Sequence, residues 1–111
     1  MPFGAFSLQC SFSCIYCVYM NYEFQWDNDN LAHATRHSIS AKEAEECFEN
    51  EYLMFPKPLS VKRHGEQRFY LLGRSNGGKP VFIVFKWITK TCIRIITTRR
   101  MTTSEENKYG I

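Results

Sequence analysis

The sequence predicts an α+β fold in which helices pack on an antiparallel β-sheet, and three observations predict it. Helix-start signals stand ahead of Ala- and Glu-rich runs in the first half; the apolar period changes to two residues after Gln67; and Gly- and Lys-containing turns cut that second half into strands. At 111 residues and 44% hydrophobic composition, the chain has material for one modest core.

Taken in order, NYEFQW reads as a short strand. Asp27 has the side chain to cap a helix running through about His37, with Leu31 and Ala34 on its apolar side. Ser40 and Glu43 form a capping box, in which hydroxyl and carboxylate each take a backbone amide that has no partner inside the helix, so AKEAEECFEN is a second helix. EYLMF suits a short strand, and Pro56 and Pro58 close the helical half. From Gln67 onward RFYLLGR, VFIVFKW and TCIRIITTRR form an antiparallel meander across the turns SNGGKP and ITK, with Asn76, Gly77 and Gly78 suited to the positive φ angles of a tight hairpin. Thr102 and Glu105 repeat the capping box, which predicts a short terminal helix over TTSEENKY.

The net charge of +3 conceals a division. Residues 20–56 hold eight acids against Arg36 and Lys42, whereas residues 57–100 hold eleven bases against Glu66 alone. The basic run is that of a polyanion-binding surface or of a solvated sheet face, and charge does not choose between them. Of five cysteines, Cys47 and Cys92 sit inside apolar patterns where a free thiol behaves as a small hydrophobe, pointing to a reducing, cytoplasmic setting. No Lys or Arg precedes Arg36, so the apolar start lacks the basic region of a secretory signal, and it is shorter than a membrane span. Cys10, Cys14 and Cys17 have the C-x3-C-x2-C spacing that resembles the iron–sulfur loop of radical S-adenosylmethionine enzymes. Those enzymes enclose their chemistry in a barrel of about 200 residues or more, so no cluster is expected here.

The order WDNDNLAHATRHSISAKEAEECF, RFYLLGRSNGGKPVFIVF, IRIITTRRMTTSEENKY resembles the BrnT-type toxin family, ribonucleases of bacterial type II toxin–antitoxin pairs. The pieces that carry the likeness are Trp26-Asp27, Arg36-His37, Glu43-Ala44, Gly73-Arg74, and Ile95 to Arg99 followed by Thr102 and Glu105. The resemblance implies a RelE-like fold, metal-independent RNA cleavage without a cofactor, and neutralisation by a ribbon-helix-helix antitoxin of the BrnA type, through which alone operator DNA would be reached. It begins near Tyr22, so residues 1–19 read as an apolar extension, with Met20 an alternative start, and residues 20–111 as the toxin-like domain. Ser38 stands where the family usually has glycine after the histidine, and Glu106 and Asn107 where it tends to be basic.

Metal-independent RNA cleavage uses the 2′-hydroxyl as nucleophile and needs a proton acceptor, a proton donor and fixed cations on the phosphate. His33, Arg36 and His37 fall on one helix face, and His37 is the acid/base candidate; its competing role is that of an exposed residue near a helix C-terminus. The HxxxH spacing lacks both a third zinc ligand and the glutamate of a zinc protease, since position 34 is Ala. Arg74 and Arg99, each ending a strand, are the candidates for stabilising the phosphorane because a guanidinium binds phosphate bidentately. Arg36, Arg94 and Arg100 are candidate backbone grips, Arg94 and Arg100 sharing one strand face by parity, and Tyr70 is either core or a base-stacking ring. Two functions follow: an endoribonuclease toxin, or a non-catalytic toxin-like module that holds antitoxin or nucleic acid without cleaving.

Overall fold

A computed structural model describes residues 22–110, together with the backbone of residues 14–16. In chain order the elements are β1 (Cys14–Tyr16), β2 (Glu23–Gln25), α1 (Asn28–Thr35), α2 (Ala41–Glu46), β3 (Tyr52–Pro56), α3 (Ser60–His64), β4 (Phe69–Arg74), β5 (Pro80–Trp87), β6 (Cys92–Arg100) and α4 (Thr103–Tyr109). One six-stranded sheet has the order β1-β2-β6-β5-β4-β3. The class is α+β as expected, but the sheet is mixed: β2 runs parallel to β6, while the other neighbouring pairs are antiparallel. The long connection through α1, α2, α3 and the meander brings β6 back beside β2, and a path of that length permits the parallel pairing. Of the predicted N-terminal extension, only the pairing of β1 with β2 can be described; the triplet's Cys10 and Cys17, like the side chain of Cys14, lie outside the described residues.

The helical layer is fixed at its start by polar side chains. Asp27 and Asn30 form a reciprocal capping box, and the buried Asn30 side chain donates to the carbonyls of Gln25 (2.9 Å) and Ile95 (3.0 Å), tying α1 to β2 and β6. The predicted helix to about His37 ends at Thr35; Ser38 then takes φ 70°, the left-handed conformation that glycine adopts at least cost. The capping boxes at Ser40 and Thr102 form as the sequence predicts.

Between helices and sheet lies a core whose largest buried members include Phe24, Phe85, Ile39, Leu71, Ile83, Ile93 and Ile95. Phe48 meets Phe24 and Phe85 edge-on at ring distances of 5.1 and 5.2 Å, the offset geometry aromatic quadrupoles favour. A Cβ on Gly73 would stand 3.3 Å from the Tyr52 side chain and 3.4 Å from the Cys47 carbonyl, so this strand position needs a glycine to let α2's end approach. Cys47 is buried and free, its thiol pushed up to about 12, chiefly by burial. Cys92 is disulfide-bonded, which corrects the expectation of two free buried thiols.

Partner positions across the ladders share a face, which defines two sides of the sheet. Leu71, Ile83 and Thr98 face the helices, and the Thr98 hydroxyl donates to the Ala34 carbonyl of α1. On the far side stand Phe55, Tyr70, Phe82, Arg74 and Arg99, the face on which α4 lies. A bulge interrupts the β5–β6 ladder: Phe85 faces Ile95, but Val84 faces Thr97, leaving Ile96 unpaired. The extra residue reverses parity beyond it, so Arg99 shares the face of Arg94, and Arg100, opposite Val81, does not. The parity that places Arg94 and Arg100 together is thereby corrected.

Candidate functional site

Arg74 ends β4 opposite Pro80, and the next far-face residue of β5, Phe82, is opposite Arg99 on β6. The two arginines therefore stand two strands apart on one face, and both reach α4. Arg99 makes a bidentate pair with Glu105, Nη1 and Nη2 lying 2.8 and 2.7 Å from the carboxylate oxygens, while its guanidinium sits 4.2 Å over the Phe82 ring. That pairing holds Arg99 above its usual range and Glu105 down at about 2, with the Thr102 amide as a further donor to Glu105. Arg74 Nη1 donates to the Gly78 carbonyl (2.7 Å), and its Nη2 lies 3.5 Å from Glu106.

Beside Arg74 opens a groove of about 930 Å³, lined in part by Asn50, Tyr52, Leu53, Ser75, Asn76 and Tyr109. The Asn50 amide donates to the Arg74 carbonyl (2.9 Å) and to Asn76 Oδ1 (3.1 Å), fixing the turn after β4 against the start of β3. In that turn Ser75 N–H donates to the Lys79 carbonyl and Gly78 takes φ 86°; Gly78 is the one member of the Asn76-Gly77-Gly78 run with positive φ. Tyr109 stacks on Phe55, and Phe55 and Phe82 both contact Tyr70, so aromatic rings floor the space between α4 and the strands. Tyr70 is thus a half-buried member of this cluster.

His37 stands apart from the two arginines. It lies on the exposed stretch after α1, on the helical side of the sheet, and its Nε2 accepts from Arg36 Nε at 3.3 Å. The same stretch reaches the sheet end that carries Arg74, because Lys79, one residue before Pro80, donates to the Ser38 carbonyl (3.2 Å) and pairs with Glu43 (2.8 Å). Arg100 is exposed at that end. Arg94 lies toward the other end and is committed to Asp27 (2.8 Å) and Gln25 (3.0 Å), where it locks the N-cap of α1 and holds the Asp27 carboxyl below its ordinary value. The structure therefore unites Arg74 and Arg99, places His37, Arg36 and Arg100 around the same sheet end, and sends Arg94 elsewhere.

Sequence reasoning missed the acids of α4 as partners of both arginines, and it missed the groove residues Asn50 and Tyr109. Two alternating strands ending in arginine signalled the shared face, but nothing local says that the terminal helix folds back over it.

The chain is thus a small α+β domain with two anchored guanidinium groups on one sheet face and a groove beside one of them, Arg74. The family model of BrnT, the ribonuclease toxin of type II toxin–antitoxin systems, matches residues 26–105, and the chain belongs to that family. The family is described as a ribonuclease, and a type II system implies an RNA substrate and an antitoxin partner. No curated protein sequence matches the chain.

Proposed function

We propose that the protein is a cytoplasmic, RelE-like endoribonuclease toxin that cleaves RNA through the 2′-hydroxyl without a metal and is neutralised by a BrnA-type ribbon-helix-helix antitoxin. Operator DNA is reached only through that antitoxin. The single observation carrying the reading is the placement of Arg74 and Arg99 on one sheet face, each facing a carboxylate of α4, with the groove beside Arg74. Glu105 presents to the Arg99 fork, and Glu106 to one nitrogen of Arg74, the oxygens that an RNA phosphate would present, and a guanidinium fork stabilises the charge of a pentacoordinate phosphorus. Arg36 and Arg100 extend the cationic track around the sheet end, and His37 is the residue there with proton-transfer chemistry.

Single-turnover cleavage of a model RNA, with chelator present, tests this. His37→Ala should lose about 10²- to 10⁴-fold in rate with RNA affinity little changed, the range of a general acid–base group. A variant cleaving within about threefold of the parent removes His37 from the mechanism and leaves an arginine-only site.

A second reading has its own observation. Glu106 stands where the family tends to be basic and faces Arg74, so the pair of acids on α4 fits a module that binds antitoxin or RNA without cleaving it. RNA left intact by the unmutated protein, with binding retained, establishes that reading.

A further inference from the structure

Ion pairs consume the basic run unevenly. Among the described residues, six of the eleven bases between Lys57 and Arg100 carry one: Arg68, Arg74, Lys79, Lys86, Arg94 and Arg99. Of the other five, Arg100 lies at the arginine end of the sheet. Lys57, Lys62, Arg63 and Lys90 lie in the β3–β4 connection and the β5–β6 turn, and in this antiparallel order both connections emerge at the opposite end. Glu66, the acid of that connection, is already held by Arg68 (2.8 Å) and Lys86 (3.0 Å).

Exposed aliphatic side chains share the same end. Leu59 is 59% exposed, Val61 57% and Ile88 39%. Leu59 also sits in a costly backbone state. Pro58 precedes it, the Ser60 N–H closes a turn onto the Lys57 carbonyl at 3.3 Å, and Leu59 has φ 62° at the turn position that favours glycine. A leucine in this region is strained relative to ordinary backbone, and its exposure shows that burial does not compensate for it. The buried Ser60 hydroxyl accepts from the Arg68 amide (2.8 Å) and holds the connection in place.

We propose that this end, built from Leu59, Val61, Ile88, Lys57, Lys62 and Arg63, is a docking surface for a protein segment that presents aliphatic side chains flanked by carboxylates. The segment belongs to the antitoxin, so the inference rests on the toxin–antitoxin reading for the partner's identity and on this surface for the chemistry. Protein fits better than RNA because the exposed large side chains here are aliphatic, whereas single-stranded RNA is gripped by stacking on rings, and the ring cluster lies on the α4 face. Charge complementarity supplies orientation and encounter rate, and the aliphatic trio supplies the desolvated centre.

The test titrates the full-length isotope-labelled protein with three probes: a two-heptad helical peptide of Leu at the apolar positions and Glu elsewhere, its counterpart with Lys for Glu, and a decauridylate. The acidic peptide should shift the amides of residues 57–65 and 88–91, more weakly in 0.5 M salt, while the basic peptide leaves them in place and the RNA acts at Arg74, Arg99 and Tyr109. Leu59→Gly should raise the melting temperature yet weaken the acidic peptide at least about tenfold, the loss of one well-packed aliphatic anchor. Acidic peptide mapping to the arginine end, decauridylate mapping to residues 57–65, no shift with millimolar peptide, or a Leu59→Gly variant binding within threefold of the parent each overturns the proposal. RNA cleavage measured on the same protein is a separate readout: lost cleavage with intact docking sinks the ribonuclease reading alone, and retained cleavage without docking sinks this one alone.

Discussion

At one end of the sheet Arg99 is held by Glu105 and backed by Phe82, and Arg74, held by the Gly78 carbonyl and facing Glu106, flanks a groove; at the other, Lys57, Lys62, Arg63 and Lys90 carry no carboxylate partner among the described residues and share that end with exposed Leu59, Val61 and Ile88. Similar residue types have been put to different use. A guanidinium fixed in direction can stabilise charge that develops at one point, because no reorganisation is needed when the charge appears. A mobile ammonium beside an aliphatic surface gives attraction without direction, which suits encounter and docking. On the proposed reading the fixed end is the place for chemistry, and the loose end is the place for a partner.

The largest effect that would break this contrast is on rate. Arg74→Ala should lower single-turnover cleavage about 10²- to 10³-fold, the loss seen when one preorganised transition-state donor is removed, and Arg74→Lys should recover little of it. Lys62→Ala, at the loose end, should leave the cleavage rate within about twofold and change only partner association, as rim charges do.

The helical layer adds a pH effect that must be separated before the two ends are compared. Glu45 accepts from Trp26 Nε1 at 2.7 Å, and burial, with the Glu49 and Glu46 charges, pushes its carboxyl up to about 7. The folded state then keeps a proton that the unfolded chain releases near 4.5, so the stability Glu45 contributes is fully present below about pH 4.5 and is lost as pH rises toward 7, by up to about 3 kcal/mol. Glu45→Gln should flatten that decline, as read by urea unfolding at pH 5 and 7.5.

Glu105 works in the opposite direction and sharpens the contrast. With its carboxyl held at about 2 by Arg99 and the Thr102 amide, the stability it contributes is present above about pH 4.5 and drains away as pH falls through 2. Glu105→Ala should lower the melting temperature by several degrees, since the cap bond it removes is worth about 1 kcal/mol, and should raise RNA affinity a few-fold by freeing the Arg99 fork. The smallest expected change is at Ser38: with φ 70°, Ser38→Gly should stabilise by roughly 0.5–1 kcal/mol in the same unfolding assay.

Much of the fold is legible because its signals are local. The capping boxes at Ser40 and Thr102, the alternation of VFIVFKW and the Pro-bounded β3 each specify an element within a few residues. What the sequence hides is non-local or hinges on one residue. The bulge at Ile96 leaves no mark in IRIITT yet decides which of Arg99 and Arg100 faces the site. The parallel pairing of β2 with β6 depends on where a long connection returns, and α3 is too short to show a period. At the site, Arg74 and Arg99 could be picked out as strand-end arginines, but their carboxylate partners come from a helix that folds back over the sheet, and Arg94's commitment to Asp27 spans 67 residues of sequence.

A catalytic role for the fixed arginine end is tested by the cleavage rate of Arg99→Lys under single turnover, measured alongside RNA affinity. Lysine keeps the charge but lacks the planar fork, so the rate should fall by about 100-fold or more with affinity within about threefold. Cleavage at the parent's rate by Arg99→Lys would contradict it, because any positive charge at that position would then suffice and the fixed geometry at the arginine end would have no catalytic meaning.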